Sequence, residues 1–500
     1  MDSKMPKKIA LNVVMIAAEA APFVKVGGLG DVIGTLPRAL RKLGANVTVI
    51  IPAYGDVSSR PIPAKPCLDI PGFDVSLGSF TEYASVFQAK MPRTSVTVYQ
   101  IGSQRYFDRD GVYDDPLTGE GYADNMERYV FFMKAAIELM VRLPDSFDII
   151  HCHDSQAALI PGLIKENYAA VEKLTRARTV FTIHNIAYQG NYPREALDLA
   201  GISQDRFYPF SPFEFSGQVN FLKAGAMFAD EITTVSQAYA KEIQEPELGF
   251  GLDGVLRERS ANLHGIINGI DYSEWDPETD PFIAGHFSYE KLSGKMICKR
   301  DILENFKLGQ GEDYKHIPLI GIVSRLTNQK GFDLIAEAIH AIAEQDMFLV
   351  ILGTGQQYYC DLVNDIAARY PEKIAARLAF DNPLAHKIVA GSDMFLMPSR
   401  YEPCGLNQLY SLRYGTIPIV HRIGGLADTV VPYDGNDGTG FGFTEYSAEA
   451  LAQSIHDALL VYSKPAMWKK LIRQAMAEDW SWKTSAKRYI ALYQKKDEAP

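Results

Sequence analysis

Arg325 and Lys330 stand five residues apart in Ser324-Arg325-Leu-Thr-Asn-Gln-Lys330-Gly331, directly after the apolar run 319–323. Two permanent cations at that spacing suit a diphosphate, and they would stabilise the charge that grows on a departing phosphate without a metal. A solvated cationic loop is the plainer reading of the same residues. Glu402 follows another apolar run, 394–397, in Pro398-Ser-Arg400-Tyr-Glu402-Pro-Cys404-Gly-Leu406. Pro403 biases Glu402 out of the α region, and Gly405 and Leu406 can open the next helix and offer N–H groups to phosphate. Cys404 is a nucleophile in principle, but a covalent route needs a base partner that the sequence does not single out.

Upstream, Lys25-Val-Gly-Gly28-Leu-Gly-Asp31 sits after an apolar run and opens a helical stretch, a setting in which backbone N–H groups point at an anion and glycines let it approach. It is no dinucleotide fingerprint, which needs GxGxxG and an acidic residue about 20 positions on. The next apolar run, Val47–Ile51, ends in Pro52 instead. GxxxxGK[ST] is missing too, which removes a P-loop. His151-Cys-His153-Asp154 and Thr182-Ile-His184-Asn185 each lie at the end of an apolar run. Strand alternation would put His151 and His153 on one face, as zinc requires, yet no Cys or Glu at the usual spacing completes a coordination sphere. Hydrogen bonding of His184 and Asp154 to a polyol is the more economical reading. Gly424-Gly-Leu-Ala-Asp428-Thr-Val430 repeats the glycine-then-helix idea, weakly by itself.

The elements that must position these residues are short Val/Ile-rich runs at Ile9–Ala18, Asn46–Ile51, Ser95–Ile101, Asp148–His151 and Thr179–Ile183, which read as buried parallel strands. Amphipathic stretches such as Asp31–Leu43 and Asn125–Val141 separate them, so the fold class is α/β. The pattern restarts after Asn262 with Gly265–Ile267, Leu319–Val323, Phe348–Leu352, Met394–Met397 and Ile417–Val420. This predicts two doubly wound domains, 1–265 and 266–475, with the Asn268-Gly-Ile-Asp271 turn at the junction and ligands at the carboxyl ends of strands facing a cleft. The segment 476–500 reads as a helix, with Ala486, Tyr489, Ile490 and Tyr493 on one side, packing back on the first domain.

The 500 residues are enough for two or three domains at ~100–200 residues each. Lys plus Arg total 50 against 61 Asp plus Glu, a net charge of −11 that disfavours nucleic acid as a partner while leaving a local pocket for a small anion possible. The five cysteines are odd in number and widely spaced, so a reducing compartment, the cytoplasm, fits best. No apolar run reaches the ~18–20 residues that span a bilayer, so no membrane role is expected. Lys4, Lys7 and Lys8 ahead of an apolar run and Ala18-Glu-Ala20 imitate a secretory signal. Cleavage there would delete the first strand and leave the glycine turn unsupported, so that reading is rejected.

Together these motifs resemble the bacterial glycogen synthase and plant starch synthase family, glycosyltransferases of the two-Rossmann GT-B architecture. The likeness runs nearly end to end, through Lys25–Asp31, Tyr106–Gly111, Asp124–Arg128, Thr182–Asn185, Ala187–Gly190, Lys223–Gly225, Asn268–Asp271, Arg325–Gly331, Glu402–Leu406 and Gly424–Val430. The resemblance implies transfer of glucose from ADP-glucose to the non-reducing end of an α-1,4-glucan, with retention of the donor's α configuration and no cofactor or metal. It implies that Lys25 and the Gly27-Gly28 backbone contact donor phosphates and acceptor with Asp31 and Asp154 close by, and that Arg325 and Lys330 hold the diphosphate. Glu402 matches the family's essential carboxylate. His184 and Asn185 match donor-sugar contacts, Asn268 lies beside the diphosphate, and Cys404, Gly405 and Leu406 line sugar and phosphate.

Four departures stand out. After Asp154 the usual Trp-His is Ser155-Gln156, which removes an indole and an imidazole from the acceptor side. Phe380 replaces the tyrosine expected to stack on adenine and keeps the aromatic face. Asn407 replaces a phosphate-contacting threonine and can still donate through its amide. Tyr410 stands where related enzymes carry a second glutamate. A UDP-glucose-using synthase and a non-catalytic glucan-binding or regulatory homologue are the alternatives, the latter motivated by Ser155-Gln156. A phosphorylase would need a pyridoxal phosphate lysine site, and no motif resembles one. Oligomeric state is not legible.

Overall fold

A computed structural model describes residues 11–57, 62–309 and 312–495, so Lys4, Lys7, Lys8 and Ile9 of the signal-like prelude and residues 496–500 of the tail lie outside the described residues. The chain divides into two compact units. The first takes residues up to Val235, Ala240–Ile266 and the C-terminal segment from Trp482. The second takes Ser236–Tyr239 and Ile267–Ser481.

The first unit is built on a sheet whose central strand is Asn12–Ile16, flanked in parallel by Asn46–Pro52 on one side and Ile149–His153 on the other. Beyond Asn46–Pro52 comes Thr97–Gly102, and beyond Ile149–His153 come Arg178–Ile183, Glu231–Thr234 and Leu263–Gly265, all parallel. Helices cover both faces of such a sheet, so Val13–Ile16 are fully buried and the run is apolar without alternation. An antiparallel hairpin, Gly72–Leu77 with Phe80–Lys90, extends the edge past Thr97–Gly102.

One expectation needs correction. The run 265–267 does not open the second domain's sheet. Leu263–Gly265 pairs with Glu231–Thr234, Leu263 opposite Ile232, and closes the first sheet. Glu231–Thr234 escapes a search for Val/Ile runs because it carries a glutamate and two threonines. Glu231 is nevertheless buried, and three basic side chains make that possible: Arg178, His264 at 2.6 Å and Lys495 at 2.9 Å.

The C-terminal helix Trp482–Tyr493 belongs to the first unit and packs on the helix Gly28–Lys42. Ala486, Tyr489 and Tyr493 are buried, whereas Leu492 takes the core position expected of Ile490. Tyr493 Oη lies 2.8 Å from His151 Nδ1, and Arg178 donates to the carbonyls of Leu492 and Lys495.

The second unit's parallel sheet runs Ile374–Arg377, Phe348–Leu352, Leu319–Val323, Met394–Met397, Ile417–His421, Phe441–Phe443. Numbered along the chain that order is 3-2-1-4-5-6, the doubly wound pattern, and its switch point lies between Leu319–Val323 and Met394–Met397. The parallel strands of the first unit follow the same order about Asn12–Ile16 and Ile149–His153, with Leu263–Gly265 added as a seventh. Each unit therefore presents its loops where a ligand of an open α/β sheet binds.

Gly331 lets the loop after Leu319–Val323 turn into the helix Phe332–Glu344. Its φ of 77° is left-handed, and a Cβ there would stand 2.0 Å from the Pro398 carbonyl oxygen. Gly331→Ala should therefore cost about 2 kcal/mol or more, read as a lowered midpoint in denaturant unfolding. An unchanged midpoint would show that this loop relaxes freely.

Candidate functional site

At the second unit's switch point the loops after the first and fourth strands are tied together. Arg400 N–H donates to the Gln329 carbonyl at 2.9 Å, and the Gln329 amide donates to the Tyr401 carbonyl at 3.3 Å. This brings Lys330 Nζ to 2.5 Å from Glu402 Oε2. Glu402 is only 6% exposed. The Ser399 hydroxyl donates to the same oxygen at 2.9 Å, and the Glu402 carbonyl accepts the Gly425 N–H at 3.0 Å. Ser399 is held in turn by His421, whose Nδ1 donates to the Ser399 carbonyl at 2.7 Å. These contacts occupy Oε2 and leave Oε1 without a protein partner among the described residues. Arg325, exposed and likewise unpartnered among them, starts the same loop.

Gly405, at φ 70°, and part-buried Leu406 lead into the short helix Asn407–Arg413. The Asn407 amide donates to the Val323 carbonyl at 2.6 Å, so the expectation that it serves phosphate is narrowed to its second amide hydrogen. Cys404 is buried, and burial pushes its thiol up to about 12 against the opposing pull of hydrogen bonds from Asn268. A thiol held neutral in the interior is no nucleophile. Asn268 Oδ1 is itself buried without a partner among the described residues. Phe380 follows the strand Ile374–Arg377 and is 83% exposed, an aromatic face open to stacking. Tyr410 is a packing residue: its ring stacks on Trp275 with centroids 3.8 Å apart, and the His386 ring stacks on Trp275 at 3.6 Å.

In the first unit the glycine turn differs in one respect from the reading of its sequence. Glu19, 2% exposed, accepts the N–H groups of Val26 and Gly27 and the Tyr113 hydroxyl. The Gly27 amide expected to face phosphate is thus already bonded to an internal carboxylate. Space is open around Gly27 and Gly28, since a Cβ at either would meet nothing within 4 Å. Lys25 Nζ pairs with Asp31 at 2.6 Å.

Asp154 sits at φ 57°, ψ −179°, a conformation that L residues avoid. That geometry lays its carboxylate on the backbone N–H of His184 at 2.7 Å and on that of Asn185. Burial raises the Asp154 carboxyl to about 7, the two N–H bonds opposing it. The folded state then binds a proton more tightly than the unfolded chain, so stability from this group is present below about pH 4 and lost as pH rises through 7. Asp154→Asn keeps an acceptor oxygen and removes the titration. Its unfolding midpoint, measured from pH 4 to 8, should gain on that of the wild-type protein as pH rises; parallel curves would refute the assignment.

Three imidazoles meet beside Asp154. His151 uses both nitrogens, on the Tyr493 and Thr182 hydroxyls, and His153 Nδ1 lies 3.0 Å from His184 Nε2. Burial lowers all three below the usual histidine range, His151 and His184 to about 3, so the rings are neutral. Asn185 Oδ1 accepts the Ala187 N–H at 3.1 Å. Ser155 is buried against Gly190, and Gln156 is half-buried. Among the described residues no group of three or more His, Cys, Asp and Glu is placed to hold a metal ion, and no helix is long and apolar enough to cross a membrane.

Sequence reasoning missed Glu19, Tyr113, Ser399, His421 and the His153–His184 contact. Glu19 left a signal, an acid that ends the apolar run Val13–Ala18, but the same Ala18-Glu19-Ala20 also imitates a cleavage site.

Residues 12–258 match the family described as the starch synthase catalytic domain, and residues 306–475 match glycosyl transferases group 1. The chain is similar to the glycogen synthase of Koribacter versatilis (strain Ellin345), 46% identical over 489 residues that cover 97% of this chain and 98% of that one. It is 44% identical to the glycogen synthase of Streptococcus agalactiae serotype III (strain NEM316), over 97% of this chain and 99% of that one. The catalytic domain of starch synthase IV from Arabidopsis thaliana, solved bound to ADP and acarbose, superposes with a TM-score of 0.88 at 33% identity, covering 97% of this chain and 99% of that chain.

Proposed function

This chain belongs to the glycogen and starch synthase family of glycosyltransferases, and on that premise we propose that it transfers glucose from ADP-glucose to the non-reducing end of an α-1,4-glucan with retention of the α configuration. The observation that carries the reading is the Lys330–Glu402 pair at 2.5 Å with the Arg325 side chain unpartnered among the described residues on the same loop, at the switch point of a doubly wound sheet. A diphosphate takes Arg325 and the remaining donors of Lys330, while Oε1 of Glu402 addresses the positive charge that develops on the glucosyl carbon. The C1–O bond to the diphosphate breaks, the acceptor oxygen bonds to C1 on the same face, and the departing phosphate takes the acceptor's proton. The two cations and backbone N–H groups supply the charge stabilisation, so the reaction needs no metal or cofactor. Phe380 offers the adenine its exposed ring.

His184 and Asn185 of the first unit donate to sugar hydroxyl oxygens, as a neutral imidazole and an amide can, and Asp154 serves the same hydroxyls as an acceptor while its carboxylate holds the His184 and Asn185 backbone N–H groups. Five free, buried cysteines suit the cytoplasm. The test is transfer of labelled glucose onto glycogen from ADP-glucose and, separately, from UDP-glucose. Transfer from ADP-glucose supports the reading, transfer from UDP-glucose alone replaces the donor, and glycogen binding without transfer from either makes the protein a glucan-binding homologue.

A further inference from the structure

His153 is fully buried and touches no substrate in the reading above, yet it is the one side chain bonded to an imidazole nitrogen of His184 among the described residues. Two neutral rings share one hydrogen across the 3.0 Å gap between His153 Nδ1 and His184 Nε2. In one arrangement His153 carries it and donates. In the other His184 donates, and His153 must then carry its own hydrogen on Nε2. That nitrogen is buried with no partner among the described residues, and an orphaned buried N–H is rarer than an under-used acceptor. From this geometry we infer that His153 is a positioning residue: it donates through Nδ1, fixes His184 in the Nδ1–H tautomer, and so makes His184 a hydrogen-bond donor on its part-exposed side.

The rest of the environment supports the choice. The His151 ring lies against His153, centroids 4.0 Å apart and tilted by 34°, and its own two nitrogens are spent on hydroxyls, so it imposes no hydrogen on His153. Burial, and the neighbouring imidazoles, hold His153 well below the usual histidine range, which removes the doubly protonated ring as an escape. The consequence for specificity is direct. A ligand group beside His184 Nδ1 must accept, as a sugar hydroxyl oxygen can and an ammonium cannot.

The inference about the tautomer stands on the protein alone, whereas its use on a sugar rests on the proposed function, and the experiment separates the two. In protein labelled with 15N-histidine, long-range 1H–15N correlation spectra of the wild type should show His184 protonated at Nδ1 and bare at Nε2. The reverse pattern overturns the inference whatever the enzyme does. His153→Asn keeps an N–H at the position of Nδ1 and should retain the tautomer and transfer within about threefold. His153→Leu should give mixed tautomers and lower kcat by about tenfold, the rate equivalent of one hydrogen bond. An unmixed Nδ1–H tautomer in folded His153→Leu would show that His153 does not set it. The wild-type spectrum decides the matter should that variant fail to fold.

Discussion

Replacing Glu402 by alanine is expected to lower glucose transfer by about a thousandfold, the scale of removing an electrostatic group aimed at transition-state charge, while the protein stays folded. The geometry argues for both halves. Lys330 and Ser399 hold Oε2, and His421 holds Ser399, so the carboxylate is fixed before any substrate arrives. Preorganisation of that kind costs no rearrangement at the moment of reaction. Stability should suffer little, because the Lys330 side chain is 18% exposed and its ammonium can turn to water when its partner is gone. Glu402→Gln separates charge from shape: the amide keeps an acceptor toward Lys330 and Ser399 but carries no charge, so it should be nearly as inactive as alanine. Initial rates with saturating ADP-glucose and glycogen, alongside circular dichroism, read both. A glutamine variant within tenfold of wild type would mean that Glu402 positions a hydroxyl and does not meet a cation.

How much of this was legible beforehand follows from how the residues are held. The strands Asn12–Ile16, Leu319–Val323 and Met394–Met397 are buried on both faces, so they had to be runs of apolar residues, and they read directly. Glu231–Thr234 is equally buried but pairs its polar atoms with Arg178, His264 and neighbouring threonines, and hydropathy is blind to satisfied polarity. Lys330 and Glu402 were each visible as strand-end residues, yet 72 positions separate them. Their contact depends on the first and fourth strands lying side by side, which is a property of sheet order and of no local spacing. Glu19 was hidden for a related reason. Two of its partners are backbone N–H groups, which every sequence has, and the third, the Tyr113 hydroxyl, lies 94 positions away, so no local spacing shows that the glycine turn carries its own carboxylate.

The same asymmetry of partners makes the two cations of the second unit distinguishable. Arg325→Ala and Lys330→Ala should each lower transfer by about a hundredfold, since each removes a charge from a departing diphosphate. Their effects on stability should diverge. The Arg325 side chain is exposed and has no partner among the described residues, so its loss should change stability by no more than about 0.5 kcal/mol. Lys330 neutralises a buried carboxylate at 2.5 Å, and removing one partner of such a pair strands the other, at a cost of roughly 3 kcal/mol. Thermal unfolding followed with the rate assay therefore gives a pattern that no generic loss of positive charge would produce: two inactive variants, of which only Lys330→Ala melts early. Adding Glu402→Gln to Lys330→Ala removes the stranded charge and should return much of the lost midpoint without returning any activity. If Arg325→Ala and Lys330→Ala instead keep transfer within a few-fold of wild type, the diphosphate is held elsewhere. If the double variant melts no later than Lys330→Ala alone, the ion pair is not what makes Lys330 structural.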